Sequence, residues 1–312
     1  MRTALALLLA AAAATPAAAS DGWQLVWSDD FDGTEIDRSK WDFDVDCWGG
    51  GNNERQCYTD RKANAAIKDG KLIITARKEA ASGPAFPLAQ RGDPAKANAR
   101  ATKEYSSARL VTRGKAAWTY GKVEVRARLP QGQGTWPAIW MLPEDHHYGT
   151  WAASGEIDIL EAVNLGAKCK ECPGGIENRI LGTLHSGGQW PANKHKGDET
   201  VLPAPIDDFH VFGIVWEAGR ISWTIDGKVY AVQKAGDWST TGSKDPNAPF
   251  DRPFHLLLNL AVGGGLAESR TEKGVDGRGY PKSFEVDWVR VWQCGEDAAS
   301  RAACSASGDQ AR

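Results

Sequence analysis

The feature that most constrains this chain is a two-residue rhythm. In KVEVRARL, residues 122–129, Val123, Val125, Ala127 and Leu129 fall on one face of an extended segment and Lys122, Glu124, Arg126 and Arg128 on the other. That is the pattern of a half-buried strand. β-Branched and aromatic residues also fill KLIITA (71–76), SARLVT (107–112), RILGTLH (179–185), HVFGIVWE (210–217), RISWTID (220–226), FHLLLNLAV (254–262) and FEVDWVRVWQ (284–293). Asp69-Gly70 and Asp226-Gly227 stand between such runs, as tight hairpins needing positive φ require. Capped helical periodicity is nearly absent. The pattern predicts an all-β chain, one antiparallel β-sandwich over about residues 22–294, and no Pro/Ser/Gly linker divides it.

The two ends read differently. Residues 1–19 have one Arg, a short Leu/Ala run and then small residues ending at Ala17-Ala18-Ala19, the layout of a secretory signal peptide. Residues 20–294 are expected to form one domain, and 295–312 a polar tail that Cys304 could tie back. Removing the leader takes only Arg2 from the 37 basic residues, leaving 36 against 40 acids. With no Lys/Arg run, that balance points away from nucleic acid and anionic membranes and toward a neutral substrate. No later apolar run is long enough to span a bilayer. The expected location is secreted or periplasmic, as a monomer. In an exported protein the six cysteines are expected as disulfides, and sequence does not rank the pairings; near neighbours, Cys47 with Cys57, Cys169 with Cys172 and Cys294 with Cys304, are the expectation. Zinc on Cys169-x-x-Cys172 is the alternative, but no second pair of matching spacing accompanies it.

Chemistry concentrates in GEIDILEAV, residues 155–163, where Glu156, Asp158 and Glu161 fall close together. On a regular strand Glu156 and Asp158 share a face and Glu161 points away. A helix is an alternative, yet Ile157, Ile159 and Val163 are β-branched and Gly155 flanks them. One extra residue between Asp158 and Glu161, at Ile159 or Leu160, would form a β-bulge and return Glu161 to the face of the other two. The two glutamates would then be about 13 Å apart at the α-carbons on a flat strand. Curvature and side-chain convergence must bring their carboxyl groups to about 5–5.5 Å, the separation retaining glycosidases use. In that chemistry one carboxylate is the nucleophile and the other the acid/base, and repulsion among three acids favours a proton on Glu161. A solvated acidic face is the bland alternative.

Aromatic residues shift that balance. Among 14 Trp, Trp136 and Trp140 of GQGTWPAIWMLP directly precede the acids, and flat rings with a polar edge suit the CH-rich faces of sugars. Trp140, inside AIWML, could equally fill the core. Two segments, 79–103 and 166–202, read as long loops, the usual carriers of binding function.

LVWSDDFDG (25–33), WGGGNNERQCYT (48–59), DGKLIITA (69–76), YSSARLVTRGK (105–115), YGKVEVRARLPQGQGTWPAIWMLP (120–143), GEIDILEAV, GTLH (182–185), FHVFGIVWE (209–217), NLAVGG (259–264) and VDWVRVWQ (286–293) resemble, in order, the landmarks of glycoside hydrolase family 16, in its laminarinase-like endo-β-1,3-glucanase branch. The resemblance implies a concanavalin-like jelly roll with a concave substrate groove, and a β-glucan partner. It makes Glu156 the nucleophile, Asp158 its assistant and Glu161 the acid/base. It places Asn53, Arg109, Trp136, Trp140, Trp151 and His185 in the groove, needs no redox cofactor, and suggests a structural calcium at Asp30, Gly70 and Asp287. His185 has its own argument, since it ends a strand within reach of a neighbouring acid; a purely structural histidine is the other reading. The segment NLGAKCKECPGGIENR (164–179) is longer than the family pattern leads one to expect. A transglycosylase, a mixed-linkage glucanase and a non-catalytic glucan-binding module are the competing functions.

Overall fold

Strands with one dry face are stable only when two sheets close over those faces. The computed structural model describes residues 22–295 and Cys304. One sheet runs in the order Lys228–Lys234, Arg220–Ile225, His210–Glu217, Gly121–Arg128, Lys282–Cys294, Lys71–Ala76 and Ala65–Lys68, with Trp23–Asp29 also paired to Lys282–Cys294. The other runs Asn193–Val201, Arg179–Gly187, Glu156–Ala162, Thr135–Pro143, Phe254–Val262, Arg109–Val111 and Asp42–Phe43. All pairings within these two sheets are antiparallel. The fold is the jelly-roll-like all-β sandwich that the rhythm and the resemblance imply.

The core lies between the sheets. Val123, Val125, Ile214, Trp223, Phe284 and Val286 from the first sheet join Ile139, Met141, Ile157, Leu184, Leu256 and Leu258 from the second. Burying each large side chain of this kind contributes about 1.5–3 kcal/mol relative to leaving it in water. In the Gly121–Arg128 strand the burial alternates residue by residue, as KVEVRARL requires.

The expected long loops are mostly built. In 79–103, Ala81–Pro84 pairs with Arg100–Lys103, and Asp93 caps the short helix Pro94–Ala97. In 166–202, Arg179–Gly187 and Asn193–Val201 are nine-residue strands of the second sheet, so about half of that segment is sheet and not loop. Asn193–Val201 has hardly any buried residues; an edge strand with both faces wet shows no apolar rhythm. The disulfides are Cys47–Cys57, Cys169–Cys172 and Cys294–Cys304. Cys169 and Cys172 are therefore bonded to each other, which removes the zinc alternative. Among the described residues no helix is long and apolar enough to cross a membrane. The expected leader, 1–19, and the tail apart from Gly295 and Cys304 lie outside the described residues.

Candidate active site

GEIDILEAV forms the strand Glu156–Ala162, paired on one side with Thr135–Pro143 and on the other with Arg179–Gly187. Asp158 faces Thr183 while Glu161 faces Leu181, so three steps on this strand match two on its neighbour. On the other side Asp158 faces Trp140 and Leu160 faces Ile139, which leaves Ile159 as the extra residue. This is a one-residue bulge, and it resets parity. Ile157, Ile159, Leu160 and Ala162 all enter the core, and Glu156, Asp158 and Glu161 take the opposite face.

A residue of the other sheet secures the bulge. The indole N–H of Trp223 donates to the Asp158 carbonyl at 2.8 Å, at the point where the register breaks. Trp223 is wholly buried. Gly182, on the neighbouring strand between Leu181 and Thr183, makes room for it: a Cβ there would lie 2.3 Å from Trp223 Cδ1. Sequence reasoning assigned neither residue a part in the site. The G in GTLH was the available signal, because a glycine inside a strand often marks a close approach.

Each glutamate has its own indole. Trp151 Nε1 donates to Glu156 Oε2 at 2.8 Å, and Trp136 Nε1 donates to Glu161 Oε1 at 3.0 Å. His185, directly opposite Glu156 in the ladder, brings Nε2 to 3.2 Å from Asp158 Oδ2 and 3.5 Å from Glu156 Oε1. Burial, then the Asp158 charge, pushes the Glu156 carboxyl up to about 7, against the pull of His185 and the Trp151 N–H. Burial and Asp158 push Glu161 further, to about 8, with His185 pulling it down, the charge of Glu156 adding to the push and the Trp136 N–H opposing it. Burial alone would lower His185, but its hydrogen bond to Asp158 and the charges of Asp158, Glu156 and Glu161 carry it up to about 9. Both glutamates are therefore held above the usual carboxylate range, and the three acids in turn raise the His185 imidazole.

The other expected groove residues divide into two groups. Trp140 is half-buried on the acid-bearing face, donates to Asn259 Oδ1 at 2.7 Å, and lies beside the Arg109 guanidinium, 5.2 Å from the ring centre. It is thus no core filler. Arg109 is buried and also lies 4.4 Å from the ring centre of Tyr58. Asn259 donates to the Tyr58 hydroxyl at 3.0 Å, which in turn reaches Glu54 Oε2 at 3.4 Å; Gln56 donates to the same oxygen at 2.6 Å. This polar floor of Glu54, Gln56, Tyr58 and Asn259 was not singled out from sequence, although NNERQCYT contains most of it. Trp136 is nearly buried, in a small cluster with Val163, Ala261 and Ala267, so it serves Glu161 through its N–H more than it offers an open ring. Asn53 is exposed, with φ 59°, in the turn that packs on Gly264 and Gly265 beside Trp136.

Two of the three suggested calcium donors carry ion pairs. Asp287 pairs with Arg126 at 2.5 Å and Asp30 with Arg290 at 2.9 Å. Each of these two carboxylates is thus paired with a guanidinium, and Gly70 offers a backbone carbonyl. Glu156, Asp158 and His185 bring one donor atom each within 4.8 Å of one another.

Residues 52–290 match the family described as Glycosyl hydrolases family 16. The chain belongs to this family. It is 42% identical over 284 residues to glucan endo-1,3-beta-glucosidase A1 of Niallia circulans, a match covering 87% of this chain and 38% of that protein. It is 41% identical over 287 residues to a beta-glucanase of Rhodothermus marinus, covering 87% of this chain and 85% of the relative. The solved laminarinase structure from Rhodothermus marinus superposes with a TM-score of 0.70 at 40% identity, over 88% of this chain and 98% of that one. The protein is a family-16 glycoside hydrolase.

Two outcomes follow for stability. Gly182→Ala drives a methyl group into Trp223 and costs about 1–3 kcal/mol, read as a lower urea midpoint at unchanged slope; an unshifted midpoint would show that the bulge and Trp223 are not tightly coupled. Glu161 binds its proton more tightly folded than unfolded, so its contribution is complete below 4.5 and is lost as pH rises through about 8. Glu161→Gln therefore gains melting temperature relative to the parent progressively between those pH values, and a parallel pair of melting curves across that range contradicts the assignment.

Proposed function

We propose that this family-16 hydrolase cleaves internal β-1,3 linkages of a laminarin-type β-glucan with retention of anomeric configuration. The observation carrying the reading is the bulge, which sets Glu156 and Glu161 on one face, each with its own indole donor and with raised proton affinity. The names of the Niallia and Rhodothermus relatives support the substrate class.

Glu156 loses its proton before Glu161, and its carboxylate attacks the anomeric carbon. The C–O bond to the leaving sugar breaks as the new ester bond forms, and Glu161 gives its proton to the departing oxygen. Water then enters, Glu161 takes one of its protons, and the resulting hydroxyl displaces Glu156 at the same carbon. Two inversions give net retention, and water is the only co-reactant. Asp158, between the two glutamates and in contact with His185 at 3.2 Å, holds His185 cationic and raises the proton affinity of both glutamates. The Trp151 and Trp136 N–H groups fix one oxygen of each. Trp140, flat beside Arg109, offers a ring to a sugar face. The reading includes export as a monomer, supported by the leader-like order of residues 1–19 and by three disulfides.

Reducing-sugar release from laminarin, beside lichenan and agarose, tests the substrate. Laminarin is expected to be the best of the three, Glu156→Gln to fall to background, and Glu161→Gln to lose about 10²–10⁴-fold in kcat. Proton NMR of the first product should show the β-anomer before mutarotation, and initial release of the α-anomer would refute retention. Because the Asp158 charge raises Glu161, Asp158→Asn should move the alkaline limb of kcat/KM to lower pH as well as reduce the rate. A limb that stays in place means that the Asp158 charge does not set the proton affinity of the group that donates the proton.

A further inference from the structure

The row of side chains that begins at Glu156 continues past His185. On the next strand His195 lies directly opposite His185, with ring centres 5.7 Å apart. Asn193–Val201 is the edge of this sheet, and nearly all of it is exposed and polar. The turn joining these two strands presents Trp190, 71% exposed, the most exposed of the large apolar side chains among the described residues. Its backbone is fixed to the active site. The Trp190 N–H donates to the Trp151 carbonyl at 3.1 Å, and the Ala152 N–H donates to the Gly188 carbonyl at 3.3 Å. Trp151 is the residue whose indole holds Glu156, and its ring is 5.6 Å from that of His185. An indole left in water gains nothing from the core, and here it is carried by the same short segment that positions the Glu156 donor.

We propose that Trp190 and His195 form a further glucosyl-binding subsite at the Asn193–Val201 edge of the sheet, beyond Glu156 and His185. The inference rests on the β-glucan reading and deepens it. Trp190 supplies a flat apolar face for the CH-rich side of a sugar ring, and His195 supplies ring nitrogens to its hydroxyls. Two strand spacings separate Glu156 from His195, about 10 Å, so only a chain extending past the cleaved unit reaches this subsite.

The test is calorimetric binding of laminari-oligosaccharides of increasing length to uncleaving Glu156→Gln protein, with and without Trp190→Ala. The paired variant should bind the longer oligosaccharides about five- to tenfold more weakly, the energy of one aromatic contact, with a deficit that grows with length. In the catalytically intact background KM for laminarin should rise more than kcat falls. Trp190→Phe, which keeps a flat face, should restore most of the affinity, and His195→Ala should give a smaller loss of the same length dependence. Leu88→Ala, a comparably exposed apolar residue on the turn Leu88–Gln90, should match the parent. Equal affinities of parent and Trp190→Ala at every length overturn the subsite alone. Failure of the parent to bind any of these oligosaccharides overturns the β-glucan reading and the subsite with it.

Discussion

The active face of this protein depends on one hydrogen bond across the core, from the Trp223 indole to the Asp158 carbonyl. A bulge interrupts a ladder and leaves backbone groups without their regular partners, and a buried unpaired carbonyl costs about 1–3 kcal/mol. The opposite sheet supplies a donor at that carbonyl. The side chains then follow from parity alone: with Ile159 and Leu160 both turned into the core, Glu161 must face the same way as Glu156. Gly182 belongs to this device because it alone leaves space for the indole. The chemistry on one face of the sheet is thus conditioned by the packing on the other.

Bringing three carboxyl groups together out of water opposes folding, and the surroundings offset only part of that penalty. His185 offers a positive charge to Asp158 and Glu156, and two indoles offer one N–H apiece to the glutamates. None of these completes a strong bidentate pair. An arginine in place of Trp136 would hold Glu161 as a fixed anion and remove the proton that acid/base chemistry needs there. A neutral donor orients a carboxyl group without deciding its charge. That is why tryptophan, and not arginine, is suited to this role, while the structural acids of the same protein, such as Glu268 with Arg55 and Glu177 with Arg179, are paired with guanidiniums and pulled down.

Much of the fold was legible because burial writes itself into alternation. The Gly121–Arg128 strand has one wet and one dry face, and its sequence says so. Asn193–Val201 has two wet faces, so its NKHKGDETV carries no rhythm and reads as loop. The bulge was legible through a misfit: Glu161 had the wrong parity for a regular strand, and only one extra residue repairs it. Trp223 was not, since a buried indole in RISWTID looks like any core residue until its partner across the sandwich is known. The same holds for the Glu54–Tyr58–Asn259–Trp140 chain of hydrogen bonds, whose members lie up to 205 positions apart in sequence, as 259 minus 54 gives. Pairings of that span are set by sheet order, which local pattern does not encode.

The two indole donors are seated independently, and this keeps the two glutamates chemically distinct. At the Glu156 end, Trp151 is tied through its backbone to the Gly188–Trp190 turn. At the Glu161 end, Trp136 packs on Val163, Ala261 and Ala267, and the seat is locked by Asn164. That residue has φ 58°, accepts from the Gly134 N–H at 2.6 Å and donates to the Ala267 carbonyl at 2.7 Å. It therefore joins the end of the bulged strand, the approach to Trp136 and the helix Gly265–Ser269 in one buried knot. The segment that follows it, closed by Cys169–Cys172, hangs from this knot through Gly166 N–H to Glu177 carbonyl and Ala167 N–H to Asn164 carbonyl bonds. A disturbance of either end reaches one glutamate first. Separate seats let the environment of each carboxyl group be set without forcing the same change on the other, so that one can hold or release a proton while its neighbour stays ionised.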